Sequence, residues 1–518
     1  MKRGCGILLP ISSLPGNYGI GGFSKEAYRF VDKLRAAAQC YWQILPLGPT
    51  GTGDSPYQSF TAFGGNVNYI SLEKLIEDEV LAWYDINWID WGSDPYRVDY
   101  QKVGEHRERI LRLAYKNFCA CQNRERVERY LQAVENLSEE TKKYCEYQAI
   151  KKDQEGKPWY EWEEKLRNRD KEAMEEARSR LKEDLDFYLW EQAVFDMQWM
   201  ALKNYANQNG VEIIGDMPIY VAYDSADVWM HQEMFQLHKD GTPKAVAGCP
   251  PDYFAPQGQL WGNPLYDWKR HKKDGYSWWI ERMRYALRIF DCVRVDHFRG
   301  FDEYYSIPAG DDHAMNGTWE KGPGVELFDI LKKHFAHQFE GGDLPIIAED
   351  LGLLTDSVTQ LLEEVGFPGM KVLEFAFSSD CDNDYLPHNY PRNCVAYTGT
   401  HDNTTLRGWI DSLSEELRYY MVRYEGSEHT PHSDLHWDCI RTVLSSVADT
   451  VIIPMQDYFG LGNEARMNTP GTGEGNWQWR MREESFNDGL IWHCDLLSSI
   501  YGRRHKLKSC LLYTSDAA

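Results

Sequence analysis

The chain has 518 residues, 42% of them hydrophobic and 26% charged, with a formal net charge of -24. That composition is globular and excludes a disordered chain, and its acidic balance excludes a nucleic-acid partner, which needs a lysine- and arginine-rich surface. The 19 Trp and 32 Tyr exceed what a core requires, and their flat faces suit a neutral, hydroxyl-rich ligand. The 12 Cys are scattered, with neither a CxxC pair nor the Cys/His spacing of a zinc site. No stretch approaches the roughly 20 apolar residues of a membrane span, and no secretory leader is evident. The expectation is a soluble, cytoplasmic protein with reduced thiols.

In chain order, Gly6 to Pro10 is predicted as a strand, followed by a helix from near Phe23 with Ala27, Phe30, Val31, Leu34 and Ala38 on one face. Tyr41 to Leu47 is a second strand, so the chain opens as β-α-β, a unit that builds parallel sheets. A polar loop over 51–66 then carries Asp54-Ser55-Pro56-Tyr57-Gln58-Ser59, which reads either as a solvated turn or as a set of sugar-binding groups. From 69 to 207 strand signals fade into charged helices. Within 161–207, Ala173, Ala177, Leu181, Leu185 and Leu189 recur every four residues and predict a buried stripe on a solvated helix.

Strand signals then resume at 211–216, 292–296, 344–350, 371–377, 394–402 and 450–457, with helices predicted near 276–290, 325–337, 355–365, 404–424 and 435–448. Eight strands alternating with helices predict an α/β fold, a TIM (β/α)8 barrel with an inserted mainly helical subdomain and long active-site loops. The expected divisions are 1–68 for the start of the barrel, 69–207 for the insertion, 208–508 for the rest of the barrel and 509–518 for a tail matching no barrel element.

Active sites of such barrels lie at the C-terminal ends of the strands. Five of these strands end in acids: Asp216, Asp296, Glu349 with Asp350, Asp402 and Asp457. Helix capping accounts for one such end more readily than for five. Arg294 and Asp296 share a strand face, which reads either as a structural ion pair or as an arginine holding a catalytic anion. Glu349 follows an apolar run beside Asp350, so burial and like charge are expected to raise its pKa as a general acid requires, although an arginine salt bridge is the competing role. Two carboxyls of unequal pKa suit glycosidic-bond chemistry. The rival metal site, Asp296, His297, His401 and Asp402, is disfavoured because adjacent strand residues point to opposite faces. No metal and no cofactor is expected.

Together these residues carry a family resemblance. Ile7 to Pro15, Asp54 to Ser59, Gly215-Asp216-Met217-Pro218-Ile219-Tyr220-Val221, Arg294 to Gly300, Ala348-Glu349-Asp350-Leu351-Gly352 and Thr398 to Asn403, in this order, resemble the 4-α-glucanotransferases of glycoside hydrolase family 77. These enzymes, also called amylomaltases or disproportionating enzymes, are relatives of the α-amylases. The resemblance spans about residues 4 to 503. It implies retaining transfer of an α-1,4-glucan or maltooligosaccharide segment to the 4-hydroxyl of an acceptor glucose or glucan; a monomer or weak homo-oligomer is expected. It further implies Asp296 as nucleophile, Glu349 as general acid/base and Asp402 as transition-state stabiliser. Tyr57, Asp216, Arg294, His297 and His401 become substrate-binding residues. Loops at 250–264 and 460–468 resemble the family's glucan-guiding loops and add Tyr253, Trp261 and Asn463. A plain α-glucan hydrolase and a non-catalytic glucan-binding protein are the alternatives.

Overall fold

The computed structural model describes residues 2–251, 256–339, 342–352, 354–377 and 381–504. Tyr253 and the expected tail at 509–518 lie outside them. Twelve strands are present among the described residues: β1 (Gly4–Leu8), β2 (Tyr41–Gln43), β3 (Glu212–Met217), β4 (Ala245–Cys249), β5 (Gln259–Pro264), β6 (Cys292–Val295), β7 (Glu303–Pro308), β8 (Thr318–Lys321), β9 (Ile346–Ala348), β10 (Gly369–Val372), β11 (Cys394–Tyr397) and β12 (Thr450–Pro454).

Eight of them form one parallel sheet in the order β10-β11-β12-β1-β2-β3-β6-β9. The Ala348 N–H donates to Pro368 O at 2.9 Å across the two end strands, so the sheet curls into a nearly closed TIM barrel. Each strand signal read from the sequence corresponds to one of its strands. Alternation sorts their side chains: Leu8, Ile214, Cys292, Ile347, Val395 and Ile452 pack together in one cluster, while Ile7, Ile213, Val293, Ile346 and Val451 join the larger core shared with the helices.

The helical expectation needs two corrections. The run at 161–207 is broken into helices Glu164–Arg167, Lys171–Arg180 and Lys182–Gln208; Asp170 caps the second by accepting the Ala173 N–H at 3.1 Å. Of the expected stripe Ala177 is buried, and Ala173, Leu181, Leu185 and Leu189 are half-buried against the same core. The covered face of the long helix is aromatic, with Phe187, Trp190, Phe195 and Trp199 in the core. The span 404–424 likewise divides into Leu406–Ser412 and Glu415–Glu425, because Ser414 starts a new helix by accepting the Leu417 N–H at 3.3 Å.

An antiparallel sheet, β5-β4-β7-β8, stands above the barrel and has no counterpart in the sequence reading. It places β5, and with it Trp261, at the mouth of the barrel. No described helix is long and apolar enough to cross a membrane.

One strand-end acid turns out to be structural. The Asp350 carboxylate accepts the Met370 N–H at 2.6 Å, and a Cβ on Gly369 would overlap that carboxylate. Gly369→Ala is therefore expected to destabilise the protein by about 1–3 kcal/mol through overpacking, read as a lower denaturation midpoint; an unchanged midpoint would refute the close approach.

Candidate active site

In the register of β3 and β6, Asp216 pairs with Arg294 and Met217 with Val295. Register thus sets an acid beside an arginine deep in the barrel. Arg294 Nη1 donates to both oxygens of Asp216, at 2.9 and 2.7 Å, while Nη2 lies 3.1 Å from Asp296 Oδ1. The Arg294 side chain is 3% exposed and that of Asp216 fully enclosed, so neither tolerates loss of the other. Burial opposes the charge on Arg294, but Asp216 and then Asp296 outweigh it and hold the guanidinium pKa well above its ordinary value. Burial raises the Asp216 carboxyl, and the two contacts from Arg294 oppose that rise. Both readings of Arg294 meet here: its main ionic partner is Asp216, and its second amino group stands against Asp296.

Glu349 begins the segment after β9. Its Oε2 accepts the His297 N–H at 2.7 Å and its Oε1 accepts the Leu351 N–H at 2.9 Å. Burial first, and the neighbouring Asp296 second, push its carboxyl up to about 7 against the opposing pull of Arg294 and the two N–H groups. The like charge is Asp296 and not Asp350, as the sequence reading had it, because Asp350 is turned toward β10.

His297 corrects a second expectation. Its φ of 50° lies in the left-handed region, where the strand alternation ends. Asp296 and His297 consequently line the same cleft, and so do His401 and Asp402 from the turn after β11. Opposite faces therefore cannot be used against a metal site. Among the described residues, no group of three or more His, Cys, Asp or Glu is placed to hold a metal ion. His297 Nε2 is buried without a hydrogen-bond partner, and burial pulls the imidazole pKa down to about 4. A neutral ring with an unused nitrogen suits a substrate hydroxyl.

The cleft is open to solvent, with about 840 Å3 of empty space in and above it. Tyr57 donates to Asp216 Oδ2 at 2.9 Å and stacks on His401 at 5.1 Å and 17°. Trp261 meets the edge of His297 at 4.9 Å and 90°. Asp402 Oδ1 accepts from Asn468 Nδ2 at 2.6 Å and lies 3.4 Å from His401 Nε2. Arg466 Nη2 holds the Asp402 carbonyl at 2.7 Å.

Eight of the eleven expected site residues are thus brought to the cleft or to the buried ion pair beneath it: Tyr57, Asp216, Arg294, Asp296, His297, His401, Asp402 and Trp261. Glu349 stands beside the cleft, half-buried, with its carboxylate accepting the His297 N–H. Asn463 is not brought in; its amide lies over Gly408 in the helix Leu406–Ser412. From the same loop it is Asn468 that reaches Asp402. Asn468, Tyr220, Gln259 and Trp477 line the cleft without having been singled out from the sequence. Asn468 stood within the recognised loop, whereas nothing local marks Trp477, whose place follows from packing on Tyr57 at 5.8 Å and His401 at 5.9 Å.

An acid-lined, aromatic-walled cleft at the C-terminal mouth of a parallel barrel, with one carboxyl raised beside another, defines an enzyme of glycosidic-bond chemistry. Residues 9–485 match the family model described as 4-alpha-glucanotransferase. The chain is 46% identical over 504 residues to a 4-alpha-glucanotransferase of Streptococcus pneumoniae, covering 97% of this chain and 98% of that one. It is 44% identical over 495 residues to one of Clostridium butyricum, covering 95% and 99%. The solved amylomaltase of Streptococcus agalactiae in complex with acarbose superposes with a TM-score of 0.92 at 40% identity, over 97% of this chain and 100% of that one. The chain belongs to the 4-alpha-glucanotransferase family and is a glycosyl-transferring enzyme.

Proposed function

We propose that the enzyme moves a segment of an α-1,4-glucan or maltooligosaccharide to the 4-hydroxyl of an acceptor glucose or glucan, in the cytoplasm, by double displacement. Asp296 attacks the anomeric carbon while Glu349 gives its proton to the leaving glycosidic oxygen, and the C–O bond breaks to leave a glucosyl ester on Asp296. The acceptor hydroxyl then attacks that carbon, passes its proton to Glu349, and frees Asp296 with the α configuration restored. Asp402 faces the developing oxocarbenium charge, and His297, His401 and Tyr57 hold the sugar. The observation that carries this reading is the Glu349 carboxyl, raised to about 7 by burial and then by the neighbouring Asp296.

The aromatic walls, Trp261, Tyr57 and Trp477, favour a sugar over water at the ester by orienting the acceptor and excluding solvent. Incubation with maltotriose tests this: a ladder of longer oligosaccharides with released glucose is expected, and glucose with maltose alone would establish a hydrolase instead. Residues 69–207 are proposed to act as a separate helical insertion, and the enzyme is proposed to work as a monomer or weak homo-oligomer.

A further inference from the structure

The turn that presents His401 and Asp402 leaves β11 between two neighbouring strands, β10 and β12. Each neighbour is followed by an acid directed at that turn. Asp457, beyond β12, is 1% exposed; its Oδ2 accepts from Thr398 Oγ1 at 2.6 Å and its Oδ1 accepts the Leu406 N–H at 2.8 Å. Glu374, beyond β10, takes the other side. Its N–H donates to Thr398 O at 3.2 Å, and its Oε2 accepts from Thr404 Oγ1 at 3.1 Å. Its Oε1 is shut off from solvent and lies against Gly399, where a Cβ would come within 2.7 Å. The two acids therefore grip the two ends of one turn, Thr398-Gly399 and Thr404–Leu406, with Asp402 between them.

Neither acid is among the residues that line the cleft, and neither has a part in the reaction steps above. We infer that Glu374 is a positioning residue: together with Asp457 it clamps the turn after β11 and thereby fixes Asp402 against the substrate. This rests on the reading of Asp402 as the transition-state stabiliser. Burial and the nearby Asp457 both push the Glu374 carboxyl well above its ordinary value, with Thr404, Arg466 and Asn403 opposing. A glutamine keeps the side chain's shape and an oxygen that can still accept from Thr404 Oγ1. Arg466 ties the arrangement together, because it also holds the Asp402 carbonyl and, through Nε, Asn468 O at 2.7 Å. Displacing the turn would move Asp402 and its Asn468 partner together.

The test uses the full chain with maltotriose as donor and acceptor. Glu374→Gln is expected to keep kcat within about twofold. Glu374→Ala is expected to lose roughly tenfold to a hundredfold in kcat with KM nearly unchanged, the size of a misplacement of about 1 Å. Should the alanine variant not fold, Glu374→Met fills the volume without the hydrogen bond and takes its place. In an Asp402→Asn background, Glu374→Ala should cause no further loss, since its effect passes through Asp402. The inference is overturned if Glu374→Ala or Glu374→Met keeps wild-type kcat, if Glu374→Gln falls as far as either, or if the two losses multiply in the double variant. An Asp402→Asn enzyme of undiminished kcat would instead sink the role assigned to Asp402 itself.

Discussion

Asp296→Asn is expected to lower kcat for maltotriose disproportionation by at least about 10⁴-fold, or about 5 kcal/mol of transition-state stabilisation. An amide is too weak a nucleophile to form the glucosyl ester, so the loss belongs to the first chemical step. The surroundings should survive, because the introduced amide would still offer an oxygen to Arg294 Nη2, which lies 3.1 Å from the Asp296 carboxylate, and the Arg294–Asp216 pair beneath is untouched. KM should change little, since the sugar is held chiefly by the ring walls and the histidines. Mass spectrometry of the quenched enzyme should find a glycosylated peptide containing position 296 in wild type and none in the variant. Turnover within tenfold of wild type, or an ester on another carboxylate, would remove Asp296 from the nucleophile's role.

How much of this was legible beforehand varied with how local its cause was. The eight barrel strands were readable because each is an apolar run bounded by turn residues, and the acids at their ends stood out against that apolarity. Arg294 and Asp296 were also readable, since two-residue spacing on a strand is a property of the backbone. The Arg294–Asp216 pair was not, because it depends on the register of β3 against β6, which joins segments 78 residues apart. The alternation rule failed at His297 for the opposite reason: it was applied two residues beyond the strand, where a left-handed backbone turns His297 onto the face of Asp296. The charge beside Glu349 was attributed to its chain neighbour Asp350, but Asp350 is engaged by the Met370 N–H and the effective neighbour comes from β6. The four-stranded antiparallel sheet escaped because its short strands lie among loops whose pairing is nonlocal. Its edge strand β5 nevertheless sets Trp261 against His297. Asn463 was chosen over Asn468 within one loop, and only the fold distinguishes the amide lying over Gly408 from the one donating to Asp402.

Glu349→Gln is expected to lower kcat by about 10²- to 10⁴-fold, the usual worth of a positioned general acid. The pH dependence of the wild type should carry the same residue's signature. An ordinary glutamic acid, near 4.5, would have lost its proton well below neutrality, whereas burial and then Asp296 raise Glu349 to about 7. The proton needed by the leaving oxygen is therefore present below pH 7 and lost above it, so kcat/KM should fall by roughly tenfold per pH unit on the alkaline side. A donor whose leaving group departs without protonation separates this role from a merely structural one. With α-maltosyl fluoride, Glu349→Gln should release a burst of fluoride equal to the enzyme present, because Asp296 still attacks, and then stall, because no base remains to activate the acceptor. The burst should be independent of pH through 7. An equal loss with the fluoride and with maltotriose would mean that the substitution had damaged Asp296 or the binding of sugar. An alkaline limb persisting in the variant would assign the titration to another group.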